Sequence, residues 1–412
     1  MKQITLLFLI LLVASIYAQS LPTTVPEEVG LSSERLSRIK PLMQQHIDEG
    51  TTGGILTMIA RKGKIAHLEM VGMQDIANQK PITENTIFRI YSMSKPITSI
   101  AVMILYEEGL FHLDDPVSKF IPEFENLMVF NDSTEAGLVL DSLETEMTIR
   151  HLLTHTSGLC YGWEGHEVVD KMYAKANLFE GGTTLQQMVE KLSKIPLVVQ
   201  PGEEWIYSVS IDVLGYLVEV VSGMPFEEFL AKRIFQPLGM DDTGFSVPEN
   251  KRDRYSELYY VDEESGELEA SEEIPLGDGK YKFFPSGGGG LVSTAGDYMR
   301  FCQMLLNGGD LNGVRILGRK TVDLIRSNHL PDGLFVDDDQ NIGFGLGFGI
   351  ALDMVGSGGM VSEGTYSWGG AASTIFWIDP EEELIGILMT QLFGDAPFHD
   401  QFRTLTYSSI ID

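Results

Sequence analysis

Basic residues are scarce in this 412-residue chain: 29 lysines and arginines stand against 59 aspartates and glutamates, a formal net charge of −30. Such a surface repels nucleic-acid phosphates and anionic lipid, which excludes both as partners. Cysteine is scarcer still. Cys160 and Cys302 are the only two, too few for a disulfide framework. No zinc spacing surrounds them, so two buried, unpaired thiols are expected. Long apolar runs are also missing, apart from Ile4 to Ala14, which only Thr5 interrupts. That run falls short of the roughly 20 residues of a bilayer-spanning helix. Preceded by Lys2 and followed by Ser15-Ile16-Tyr17-Ala18, it reads as a cleavable leader over residues 1–18. The expectation is a secreted or periplasmic protein with no integral membrane segment once the leader is removed.

Several catalytic signatures are absent too. No Gly-x-Ser-x-Gly elbow supplies an α/β-hydrolase nucleophile. No Gly-x-x-x-x-Gly-Lys-Ser/Thr loop cradles phosphates, and His166-Glu167 lacks a second histidine at helical spacing. Gly343, Gly345, Gly347 and Gly349 alternate within a strand-like run, too far from a helix start to bind a dinucleotide. No cofactor and no metal are implied.

What is present is a mixed pattern. Ser32 to Glu49 has helical apolar spacing, and 54–61 with 65–71 flank Lys62-Gly63-Lys64 as a β-hairpin. A helix is predicted from Pro96 to Glu108, then a mostly helical middle with an acidic excursion over Asp262 to Lys280. Strand patterns return at 342–352, 373–378 and 384–390, and 397–407 reads as a closing helix. A sheet assembled from both ends of the chain follows, with the chemistry at the seam. The division expected is 19–100 with 285–412 as an α/β sandwich, and 101–284 as a mainly helical domain between them.

Ser-x-x-Lys occurs twice. Ser37 and Lys40 lie inside the amphipathic first helix, where a solvated face explains them. Ser92-Met93-Ser94-Lys95 stands at a strand-to-helix junction. There a spacing of three sets both side chains on one face of the first helical turn, beside its unpaired N–H groups. A buried lysine with lowered proton affinity can activate such a serine; the plainer alternative is an N-cap serine with a surface lysine.

Ser92-Met93-Ser94-Lys95-Pro96, followed by Thr148 to Leu159, resembles the serine β-lactamase and penicillin-binding-protein superfamily, in its class C-like branch with the family VIII type carboxylesterases. Pro201-Gly202-Glu203 with Tyr207-Ser208 is similar to that branch's tyrosine motif, Ser286 to Ala295 to its glycine-rich stretch, and Trp368-Gly369-Gly370 stands where its third motif begins a late strand. The resemblance runs from about residue 30 to the C-terminus. It implies an α+β fold of the β-lactamase/transpeptidase type, an antiparallel sheet flanked by helices with a mainly helical insertion. It implies Ser92 as the acylated nucleophile, Lys95 and Tyr207 sharing base and acid duty, and an oxyanion hole from the backbone N–H groups of Ser92 and Ala371. His155 reads as a helix-end residue satisfying free carbonyls, and the glycine run 287–290 as a backbone device beside the cleft.

Two departures narrow the substrate. Where lactamases and peptidases end the tyrosine motif in Asn or Ser, this chain has Val209. Where they start the third motif with Lys or His, it has Trp368. A substrate carboxylate thereby loses a charged hydrogen bond of about 1.5–3 kcal/mol, roughly 10- to 150-fold. With Trp368, Gly369, Gly370 and Val209 as cleft residues, an uncharged short-chain ester is the expected substrate. A β-lactamase or D-alanyl-D-alanine carboxypeptidase acting on cell-wall material is the second expectation, and a non-catalytic penicillin-binding-like protein the third.

Overall fold

Strand β1 (Gly54–Arg61) is buried along its whole length, so both of its faces need cover. The computed structural model describes residues 21–412 except 136, 164, 181, 263, 272–276, 280–281, 337–340, 355–358 and 395, and only the backbone of 277–279 and 282–283. The predicted leader, 1–18, lies outside the described residues.

β1 sits inside an eight-stranded sheet with β2 (Lys64–Asp75), β3 (Lys80–Pro81), β4 (Ile342–Phe344), β5 (Gly349–Ala351), β6 (Tyr366–Gly370), β7 (Thr374–Asp379) and β8 (Leu384–Met389). The order is β4-β5-β6-β7-β8-β1-β2-β3, and neighbours are antiparallel throughout. The two ends of the chain meet at the β1–β8 ladder, Leu56 opposite Met389, as the strand pattern predicts.

Side chains alternate across the pleat, so each strand feeds two cores. Ile55, Ile59, Trp377, Leu384 and Leu388 pack with Ile39 and Met43 of α1 (Ile39–Asp48) and with Phe398, Phe402 and Tyr407 of the C-terminal helix (Phe398–Tyr407). Leu56, Met58, Phe376, Ile385 and Ile387 join the larger core on the other face. That core includes α2 (Ser94–Glu107), where every residue from Ser94 to Leu105 is buried. A helix apolar nearly all round must be enclosed, and α2 is, with α3 (Ser210–Ser222) and α4 (Ala295–Leu306) in the same core.

Three local expectations change. The first helix is two pieces, Ser33–Leu36 and α1, parted at Ser37-Arg38. The strand predicted over 342–352 is a tight pair, β4 and β5, because Gly347 turns the chain with φ 88°. The helical middle also carries an exposed hairpin, Met128–Thr134 with Gly137–Ser142, anchored by a parallel bridge from Val129 to Leu197. In the acidic stretch, Leu268–Ala270 pairs with Tyr259–Val261. Residues 263, 272–276 and 280 of that stretch are outside the described residues. Cys160 and Cys302 are both buried.

Candidate active site

The chain enters the site on the short strand Phe88–Arg89, which pairs with Val292–Ser293. Tyr91 then adopts φ 40°, a left-handed conformation that costs a side-chain-bearing residue energy and gathers at functional sites. The kink carries Ser92 on one 3₁₀ turn, Tyr91–Met93, that runs straight into α2. Two anchors from α4 and the glycine-rich loop hold this junction. The Tyr298 hydroxyl donates to the Met93 carbonyl at 2.9 Å, and the Leu291 N–H donates to Ser94 Oγ at 3.1 Å.

Ser92 is partly open to solvent, whereas Lys95, one turn on, is wholly buried. The lysine Nζ donates to Ser92 Oγ at 3.2 Å, to Tyr161 Oη at 3.0 Å and to the Gly288 carbonyl at 2.8 Å. Those are three acceptors for the three N–H bonds of an ammonium group. The glycine run therefore touches the lysine through a backbone carbonyl, and a second bond, Thr98 Oγ1 to the Gly287 carbonyl at 2.8 Å, fastens the loop to α2.

Tyr207 lies beside this pair without its hydroxyl meeting the lysine in the bonds above. Lys95 Nζ stands 4.3 Å over the Tyr207 ring, a cation–π contact. Tyr207 Oη accepts from the indole N–H of Trp368 at 3.2 Å. Tyr161 is the tyrosine whose hydroxyl meets Lys95, and sequence reasoning passed over it. Its signal was available: Tyr161 follows by two residues the Thr148 to Leu159 block that carries the resemblance.

His155 behaves differently from the expectation. It follows the helix Ile149–Leu153 at φ 58°, fully buried. Instead of serving helix carbonyls, its Nδ1 accepts the Ser208 N–H at 3.2 Å and sits 3.0 Å from Ser208 Oγ. Burial first, and then the charge of Lys95, hold its proton affinity well below the ordinary imidazole value. A neutral ring thus fixes the backbone next to Tyr207, with its face 4.9 Å from the tyrosine ring.

The third motif lines the opposite wall. β6 ends at Gly370, where a Cβ would come within 2.4 Å of the Ile90 carbonyl, so only glycine permits that approach. Ala371 follows on the exposed turn. Gly369 and Gly370 are half-buried, and Trp368 packs edge to face on Phe344 at 5.2 Å. Val209 is wholly buried in the core at the start of α3. Trp163, 71% exposed, stacks parallel on Tyr161 at 4.7 Å and extends the aromatic wall outward. Among the described residues no three His, Cys, Asp or Glu side chains gather as a metal-binding group, and no helix is long and apolar enough to cross a membrane.

A Ser-x-x-Lys pair at the head of a buried helix, walled by a strand edge and a glycine-rich loop, defines a serine hydrolase or acyltransferase of the β-lactamase fold. The family model described as Beta-lactamase matches residues 39–406, and the chain belongs to that family. It is 30% identical over 386 residues to esterase EstB of Burkholderia gladioli, covering 89% of this chain and 93% of EstB. It is 29% identical over 365 residues to the monacolin J acid methylbutanoyltransferase of Aspergillus terreus, covering 81% and 84%. The solved structure of EstCE1, described as a hydrolase with promiscuous acyltransferase activity, superposes with a TM-score of 0.75 at 27% identity, over 92% of this chain and 98% of EstCE1.

Proposed function

We propose that this protein is a carboxylesterase for uncharged, short-chain esters, acting through an acyl-enzyme on Ser92. The carrying observation is the Lys95 Nζ–Ser92 Oγ pair at 3.2 Å, in a site whose third-motif position holds a ring and not a cation.

In the reaction, Lys95 takes the Ser92 proton as Oγ bonds to the ester carbonyl carbon. The ammonium so formed has the Tyr161 hydroxyl and the Gly288 carbonyl as acceptors, which stabilises the product of that transfer. Negative charge on the former carbonyl oxygen is met by the backbone N–H groups of Ser92 and Ala371. One such donor is worth about 10²–10³ in rate in other hydrolases. Tyr207, oriented by Trp368, passes its proton to the departing alkoxide as the acyl C–O bond breaks and the alcohol leaves, and the Lys95 ammonium over its ring returns a proton to the phenolate, which resets both groups. Water then attacks the acyl carbon by the reverse path, which releases the acid and restores Ser92.

EstB and EstCE1 support the ester assignment. The methylbutanoyltransferase supports a second reading in which an alcohol takes the place of water. Export with residues 1–18 as leader belongs to the same proposal, and N-terminal sequencing of protein recovered from the medium or periplasm tests it. The main test compares protein lacking residues 1–18 with its Ser92→Ala variant on p-nitrophenyl butyrate and a chromogenic cephalosporin. Ester cleavage that dies with Ser92→Ala, with the cephalosporin spared, is the expected result. Preferred turnover of the cephalosporin would move the cell-wall reading ahead.

A further inference from the structure

Lys95 has a neighbour that none of the motifs accounts for. Asp212, on the first turn of α3, is fully buried. Its Oδ1 accepts the Gly288 N–H at 3.1 Å and the Ser286 hydroxyl, while Oδ2 has no hydrogen-bond partner among the described residues. The carbonyl of the same residue, Gly288, accepts from Lys95 at 2.8 Å. A Cβ on Gly288 would stand 2.5 Å from Asp212 Oδ2 and 3.0 Å from Tyr161 Oη, so carboxylate, glycine and phenol crowd one point beside the lysine.

A bare carboxylate oxygen in a dry interior is costly unless a charge answers it. Among the described residues the other buried carboxylates are answered by hydrogen-bond donors: Asp297 by Arg300, Asp75 by Asn78, Asp379 by Tyr407. Asp212 is answered on Oδ1 alone, and burial raises its proton affinity, with the Ser286 hydroxyl and then Lys95 offsetting part of the rise. Lys95 in turn is faced by Ser92, Tyr161 and Gly288 through hydrogen bonds, by the Tyr207 ring, by the neutral His155 and by Asp212.

We infer that Asp212 is a positioning residue: its Oδ1 holds the Gly288 N–H and the Ser286 hydroxyl, so that the carbonyl of Gly288 meets Lys95. It touches neither substrate nor Ser92, and acts through Lys95. The inference rests on the acyl-enzyme reading only for its effect on rate; the hydrogen-bonded chain from Asp212 through Gly288 to Lys95 stands apart from it.

Two measurements separate this role from plain packing. Asp212→Ala removes the acceptor from Gly288 and Ser286, whereas Asp212→Asn keeps one. The alanine variant loses about 10-fold or more in kcat on p-nitrophenyl butyrate with KM little changed, and the asparagine variant regains most of that loss. Equal losses in both variants, or a loss confined to KM, would overturn the inference. The second measurement needs no turnover: melting temperatures of wild type, Lys95→Met, Asp212→Ala and the double variant. Each single change strands a partner in the chain Asp212–Gly288–Lys95, so each lowers the melting temperature, and the double variant loses less than the sum of the two. Strict additivity would overturn the coupling through Gly288. Because the cycle reads stability alone, it can fail while the ester assay succeeds, or succeed while the ester assay fails.

Discussion

The indole N–H of Trp368 points at the hydroxyl of Tyr207 from 3.2 Å. A neutral donor therefore occupies the place from which related lactamases and peptidases present a cation, and it orients the phenol without adding charge to the cleft. Trp368→Phe keeps the ring and removes the bond. A neutral hydrogen bond is worth about 0.5–1.5 kcal/mol, so kcat on p-nitrophenyl butyrate falls roughly 2- to 10-fold with KM little changed. Trp368→Lys brings a cation to the wall. The ratio of kcat/KM for a succinyl half-ester over a neutral butyryl ester rises in that variant, and a ratio that stays put counts against the assignment.

In the proposed mechanism the two tyrosines divide their work. Tyr207→Phe then removes a proton carrier and lowers kcat by about 10²–10⁴-fold, the usual range for a lost acid or base. Tyr161→Phe takes away one of three acceptors around Lys95 and costs less, roughly 10- to 100-fold, the range of one hydrogen bond made by a charged group. Steady-state kinetics of both variants on one ester, with melting curves to verify folding, check the order. A Tyr161 variant more damaged than the Tyr207 variant would exchange their roles.

Trp163 offers the outer ring of the aromatic wall. One face lies on Tyr161 and most of its surface is exposed, which leaves that surface accessible to an apolar substrate group in the proposed reaction. An aromatic contact is worth about 0.5–1.5 kcal/mol, so Trp163→Ala raises KM for aryl esters roughly 2- to 10-fold. The pH profile stays where it was. A change in kcat alone would show that Trp163 acts through Tyr161 instead of on substrate.

Acid stability is set in part far from the site. His67 on β2 is buried against Thr57, and burial lowers its proton affinity from the ordinary 6.5 to about 4. The unfolded chain takes up this proton near pH 6.5, whereas the folded chain resists until about pH 4. Stability is thus full above pH 6.5 and is lost as pH falls toward 4, by about 3 kcal/mol at 1.36 kcal/mol per pH unit. His67→Gln removes this dependence. Urea unfolding at pH 7 and pH 5 should show the variant losing about 2 kcal/mol less than wild type over that interval.

Much of this was legible in the sequence because the strongest signals are local. Ser92 and Lys95 are three residues apart on one helix, and the strands that build the sheet announce themselves by runs such as Leu384–Met389. What stayed hidden depends on distance in the chain. Tyr161 reaches Lys95 across 66 residues, and Asp212, 117 residues on, reaches the Gly288 that bonds Lys95, from a loop and a helix whose placement no local pattern encodes. Val209 illustrates the converse: its position in the motif suggests the cleft, but the start of α3 is pinned by the core, and the side chain is buried there. His155 was misread for a similar reason, since the left-handed turn after its helix swings the ring toward Ser208 and away from the helix end.

The central claim is that Ser92 carries the acyl group. Rapid acid quench of protein mixed with p-nitrophenyl butyrate, followed by peptide mass analysis, tests it most directly. One butyryl group is expected on the peptide containing Ser92, formed with the burst of p-nitrophenol and missing from Ser92→Ala. A butyryl group on another residue, or full turnover by the Ser92→Ala variant, would contradict it.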